Sequence, residues 1–117
     1  MKPALTRQQL VSRKSRPMEG ERAYTDSEIE VQLSELAGWS FRDGAIERTY
    51  AFRDYHDTIA FVNALAWMVH SEDHHPDLQV GYNRCAVRWN THSVGGVSEN
   101  DFVCAAKSDA VFARALG

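Results

Sequence analysis

The sequence predicts an α+β domain of order αββαββα, a four-stranded antiparallel sheet with helices packed on one face. Three observations predict it. Apolar residues recur at helical spacing in three stretches, they alternate at period two in the stretches between, and Asp43-Gly44 stands as a tight-turn signal within one alternating pair. Each expected helix has one apolar stripe and each strand one apolar side, so a single sheet with one helix layer buries them all.

The chain has 117 residues, 44% hydrophobic and 25% charged, which suits one soluble globular domain with its own core. We place that domain at residues 23–117. Residues 1–22 hold Lys2, Arg7, Arg13, Lys14, Arg16 and Arg22 against Glu19 and Glu21, and their reading is a basic, solvated and flexible arm. The net charge of −3 argues against nucleic acid as a partner. Two cysteines, Cys85 and Cys104, make no disulfide framework, and no charged-then-apolar leader precedes them, so the expected compartment is the cytoplasm. No apolar run approaches the roughly 20 residues of a membrane span.

The first helix opens at a capping box, Thr25 with Glu28, continues through Ile29, Leu33 and Leu36, and is expected to stop at Gly38. A hairpin follows. With Asp43-Gly44 as its loop, Phe41 faces Ile46 and Trp39 faces Arg48, with Tyr50 and Phe52 continuing the apolar side. Asp54 caps a second, longer helix on which Tyr55, Ile59, Val62, Ala66 and Val69 repeat, and this helix must end before Pro76.

Leu78, Val80 and Tyr82, then Cys85, Val87 and Trp89, alternate with wetter residues as a second hairpin. Ser98 and Asp101 then pair as a cap on the last helix, which turns Phe102, Ala105, Ala106, Phe112, Ala113 and Leu116 inward.

Four of the five histidines fall between His70 and Asp101. If Asn83-Arg84 is a two-residue loop, Val80 pairs with Val87, Leu78 with Trp89, and His75 lies across from His92 at the open end of the hairpin. A three-residue loop would shift this register by one. Imidazoles titrate near neutral pH, so His74, His75 and His92 are candidates for paired acid and base work, with Asp73 and Asp101 as orienters. Asp101 can serve as a helix cap at the same time. A zinc site is the competing chemistry, but there is no H-E-x-x-H pair and no cysteine pair in ligand spacing, so no metal is expected. His70, at the end of the long helix, has a simpler role against the helix dipole. Gly95-Gly96 before the last helix could shape a pocket beside His92.

These residues resemble the pterin-4a-carbinolamine dehydratases. The family pattern is a polar residue, three residues, His-His-Pro, an aromatic, Thr-His and a later Asp, matched here by His70, His74-His75-Pro76, Tyr82, Thr91-His92 and Asp101. The similarity runs over about residues 25–116. It departs at His70, a position often taken by Glu.

The resemblance implies the dehydration of 4a-hydroxytetrahydropterin to quinonoid dihydropterin and water, in tetrahydrobiopterin recycling, without a redox cofactor or metal. It implies His74 as the acid on the departing hydroxyl, His92 as the complementary acid or base, and His75 as a substrate-holding histidine. Asp73, Trp39, Asp101, Thr91 and His70 would line the substrate site. It also implies a functional link to an aromatic amino acid hydroxylase and assembly as a homodimer or homotetramer. A non-catalytic dimerisation or assembly module is the alternative on the same fold.

Overall fold

The computed structural model describes residues 1–116, with the side chain of Leu116 outside that description. The elements are α1 (Arg7–Ser12), α2 (Asp26–Leu33), β1 (Ser40–Arg42), β2 (Ala45–Ala51), α3 (Tyr55–Glu72), β3 (Asp77–Val80), β4 (Arg84–Trp89), a 3-10 turn (His92–Val94) and α4 (Glu99–Leu116). The four strands form one antiparallel sheet in the order β1-β2-β4-β3. From α2 onward this is the expected α+β order.

Local chemistry fixes the boundaries. Thr25 and Glu28 make the reciprocal capping box on α2, although the helix ends at Leu33, a turn earlier than Gly38. Gly38 follows in the left-handed region, φ +97°, close against the Arg48 side chain. Asp43 and Gly44 both take positive φ, 51° and 77°, as a two-residue hairpin of matching twist requires, and Phe41 pairs with Ile46. The Asp54 carboxylate accepts the Asp57 N–H to start α3.

The core lies between the sheet and α3 plus α4. Tyr50 of β2, Phe52 just beyond it, Phe61 of α3 and Phe112 of α4 meet as an aromatic cluster, with centroids 4.7 Å apart for Tyr50–Phe112 and 4.8 Å for Tyr50–Phe61. Each large side chain so buried contributes roughly 1.5–3 kcal/mol. Of the residues expected inward on α4, Phe102, Ala105 and Ala106 are buried and Phe112 is half-buried, whereas Ala113 is exposed past the sheet edge and the Leu116 side chain lies outside the description.

Under the sheet a second feature joins the elements. The Asp109 carboxylate on α4 accepts from Trp39 Nε1 at 3.1 Å, Tyr50 OH at 2.5 Å, Arg48 at 2.8 Å and Arg7 at 2.5 Å. Desolvation, then this carboxylate, push the Tyr50 phenol well above its ordinary range, so it stays a donor.

The second hairpin has a different register from the expected one. Val80 pairs with Cys85 and Leu78 with Val87, because the loop is Tyr82-Asn83 and Arg84 is already in β4 opposite Ala51. Tertiary bonds hold the loop there: the Thr58 hydroxyl donates to the Tyr82 carbonyl at 3.0 Å and the Phe52 N–H donates to the Asn83 carbonyl at 2.8 Å. The slip is by two, so each side chain keeps its face. β3 is an edge strand reached by no helix, and Leu78 and Val80 remain 39% and 42% exposed.

Residues 1–22 also differ from the solvated arm expected of them. Thr6 and Gln9 cap α1, whose Leu10 is 0% exposed within the core. The Gln32 amide takes both the N–H and the C=O of Leu5, and the Asn100 amide does the same for Arg16. The basic residues that suggested solvation meet acids instead: Arg7 with Asp109, Arg13 with Glu99, Arg16 with Glu21, and Arg22 with Glu28. The segment therefore packs as part of the same body.

Candidate active site

His74 sits just beyond α3, which ends in an αL residue, Asp73, at φ 51°. That cap turns the chain sharply into Pro76 and β3. The observed register, carried past the strand ends, sets His74 level with Thr91 and His75 level with Asn90. The expected face-to-face pair of His75 and His92 is thus replaced by His74 with Thr91.

The imidazole of His74 is mostly covered, and its ring stacks on Trp89 with centroids 5.4 Å apart and planes 16° apart. Its Nε2 lies 2.6 Å from Oδ1 of Asp101, which is fully buried. The other carboxylate oxygen accepts from the Ser98 N–H and from the Thr91 hydroxyl, both at 2.8 Å. Ser98 Oγ is 2.6 Å from Thr91 Oγ1 and accepts the Asn100 N–H. Asp101 thereby caps α4 with one oxygen and orients His74 with the other. An ionised carboxylate only accepts, so with Asp101 ionised the shared hydrogen sits on Nε2 and leaves Nδ1 for chemistry.

Beside this group is a pocket of about 270 Å³ lined by Asp73, His74, Thr91 and Ser93 together with Ser15–Glu19 of the N-terminal segment. Glu72 is buried in its wall. Burial works to raise the Glu72 pKa, but hydrogen bonds from Lys107 and the Ser15 N–H, with the charges of Lys107 and Lys14, outweigh it and hold the carboxyl below its ordinary value.

The remaining sequence candidates are placed as follows. His75 and His92 are exposed, neither lines the pocket beside His74, and neither side chain makes a hydrogen bond among the described residues. His92 lies on the 3-10 turn rather than on a strand. His70 is exposed in the last turn of α3. Trp39 is not brought to this cluster. Its indole donates to Asp109, eight residues and about 12 Å along α4 from Asp101. Three side chains able to share a cation, Asp54, His56 and Asp57, gather at the opposite end of α3 and include none of the site residues.

Trp89 as a stacking platform, Ser98, Glu72 and Asn100 went unrecognised as parts of the site. Trp89 was legible only as a core residue, and nothing local marks Glu72 or Asn100. The Ser98–Asp101 spacing did signal the cap that the network shares.

The family model described as pterin 4 alpha carbinolamine dehydratase matches residues 22–111. The chain belongs to the pterin 4 alpha carbinolamine dehydratase family. It is 50% identical over 111 residues to a Bdellovibrio bacteriovorus protein provisionally named pterin-4-alpha-carbinolamine dehydratase, covering 92% of this chain and 91% of that protein. A Nitrosomonas eutropha protein of the same provisional name is 52% identical over 102 residues, 86% of this chain and 90% of its own. Among solved structures, a transcriptional coactivator/pterin dehydratase from Brucella melitensis superposes with TM-score 0.73 at 36% identity, over 77% of this chain and 98% of that one. A pterin dehydratase-like RuBisCO assembly factor of the alpha-carboxysome, at 23% identity and TM-score 0.53 over 62% of this chain and 84% of that one, shares the fold alone. The family match includes the segment that carries His74, Thr91 and Asp101, and residues 1–21 precede it.

Proposed function

We propose that the chain dehydrates a pterin 4a-carbinolamine, with His74 as the oriented acid. The observation that supports this reading is the His74–Asp101 pair on the wall of a pocket. The Asp101 carboxylate holds the imidazole at 2.6 Å, the fixed placement that proton delivery to a departing hydroxyl requires.

The reaction requires that the C4a–O bond break with its electron pair on oxygen and that one proton complete the water. N5 loses its proton as the N5=C4a bond of the quinonoid dihydropterin forms. An acid and a base on a rigid support are sufficient, and we assign His92 as the complementary acid or base and His75 as a substrate-holding side chain. We assign Asp73 and Thr91, which line the pocket, and His70 as further substrate-site residues. The chemistry calls on no metal or redox cofactor. Assistance of this kind contributes about 10²–10⁴ in rate.

The substrate is the carbinolamine left when an aromatic amino acid hydroxylase uses tetrahydropterin, which places the reaction in tetrahydrobiopterin recycling. The two buried thiols, Cys85 and Cys104, suit a reducing compartment such as the cytoplasm. No helix among the described residues is long and apolar enough to cross a membrane. The exposed Leu78 and Val80 on the β3 edge and the 79% exposed Trp67 on α3 are surfaces that suit a homodimer or homotetramer.

The test is the ultraviolet decay of freshly generated carbinolamine with and without protein, repeated after exhaustive chelation. Acceleration that survives chelation and falls about 10²-fold or more in His74→Ala is the expected result. A wild-type chain no faster than buffer would hand the fold to the alternative of a non-catalytic binding module.

A further inference from the structure

The N-terminal segment that precedes the family match is the part of the pocket still without a role. Its main chain is clamped at points that flank the acid: Ser15 N–H on Glu72, two residues before His74, and Arg16 N–H and C=O on Asn100, the neighbour of Asp101. The Lys14 ammonium donates to the Ser71 carbonyl at 2.6 Å, and Met18 is buried. These contacts fix the segment against the pocket, and the side chains of Ser15, Arg16 and Met18 are engaged at Cys104, Glu21 and the interior.

Three carboxylates border that pocket. Glu72 is taken by Lys107 and Ser15. Asp73 adjoins His74 on the acid's own side. Glu19, on the segment, makes no hydrogen bond or ion pair among the described residues.

The geometry of the substrate selects between the last two. In a pterin the amino-bearing C2 is para to C4a across the pyrimidine ring, so a ring with C4a at His74 directs its 2-amino and N3–H groups away from His74. Those two parallel donors match the two acceptors of one carboxylate, a bidentate and charge-assisted arrangement.

We propose that Ser15–Glu19 is a fixed wall of the substrate site and that the Glu19 carboxylate binds the amino-pyrimidine edge of the pterin. This rests on the dehydratase reading. It adds a specificity-determining residue on a segment outside the family match.

The experiment measures, on the full chain, steady-state kinetics with carbinolamine and calorimetric binding of two probes, 7,8-dihydrobiopterin and the corresponding dihydrolumazine, which carries oxygen in place of the 2-amino group. Glu19 is exposed, so Glu19→Gln is expected to melt with the wild type. It should raise KM and the dihydrobiopterin Kd about tenfold, leave kcat within about twofold, and barely change dihydrolumazine binding; Glu19→Asp should recover part of the loss.

Equal effects of Glu19→Gln on both probes, or none on either, overturn the proposal. If the wild type dehydrates while dihydrobiopterin binding ignores Glu19, the wall falls and the dehydratase stands. If it binds dihydrobiopterin in a Glu19-dependent way without dehydrating, the enzymatic reading falls and the wall stands. Wild-type protein that neither binds nor dehydrates removes both.

Discussion

Asp101 holds His74 with one oxygen, 2.6 Å from Nε2, and closes the N-terminus of α4 with the other. The two duties are inseparable because both oxygens are fully desolvated, so any change at Asp101 is felt by the helix and by the imidazole together.

Asp101→Asn tests that coupling. An amide offers one acceptor and one donor, so its NH2 must face either the His74 Nε2–H or the Ser98 N–H, donor against donor. The expected outcome is a loss of about 10²-fold in kcat, with about 1 kcal/mol of stability lost from the cap. Carbinolamine kinetics and a urea titration measure the two effects. Full activity would show that His74 does not depend on Asp101.

Leu10→Ala tests whether residues 1–22 belong to the body of the domain. A fully buried leucine truncated to alanine destabilises by about 2–5 kcal/mol, whereas a leucine in a solvated arm would leave the denaturation midpoint where it was. The structure, with Leu10 at 0% exposure, predicts the large loss.

Asp109→Ala leaves Tyr50, Arg48 and the Trp39 indole without their acceptor. Removing one partner from such a buried group destabilises by about 3–5 kcal/mol. The surviving folded protein should keep kcat, because this network is about 12 Å along α4 from Asp101. Trp39→Phe is the milder companion, with about 1 kcal/mol lost and KM unchanged. A raised KM in Trp39→Phe would return Trp39 to the substrate site.

Acid should release the N-terminal segment. Glu28, held by Arg22 and by the Thr25 and Lys2 N–H groups, and Glu72, whose ion pair and hydrogen bonds outweigh its burial, both have carboxyls below the ordinary 4.5. A depressed carboxyl stabilises the fold above its unfolded value, and that stability drains away as pH falls through the folded one. The melting temperature should therefore decline as pH falls below 4.5. In Glu72→Gln the gap from wild type should be widest near neutrality and close as pH drops. A gap that widens on acidification contradicts this assignment.

Much of this molecule could be read along the chain, wherever a few adjacent residues decide the outcome. Thr25 with Glu28, Asp54 with Asp57 and Asp43-Gly44 are complete local devices, each satisfying its own backbone groups, and all three appear where expected. The two strand pairs followed from alternation, and the crowding of histidines between His70 and Asp101 marked the stretch in which His74 meets Asp101. Their family pattern named the same residues.

The register of the second hairpin could not be read that way. Asn83-Arg84 and Tyr82-Asn83 are comparable loops in isolation, and the choice is made by Thr58 and Phe52, which are distant in sequence and take the carbonyls of the loop. That two-residue slip sets Thr91, rather than Ser93, level with His74. The basic arm misled for the same reason, since an arginine's partner is invisible until the fold brings Asp109 or Glu99 to it.

The sequence by itself determined the elements from α2 onward and the fold class, because caps, turns and periodicity depend on neighbours three or four residues apart. Only the tertiary structure decided which nitrogen of His74 is tethered, which register the second hairpin takes, and that Ser15–Glu19 lines the same pocket as His74. Those outcomes depend on hydrogen bonds between residues separated by 24 to 84 positions, and such bonds exist only once the chain has folded.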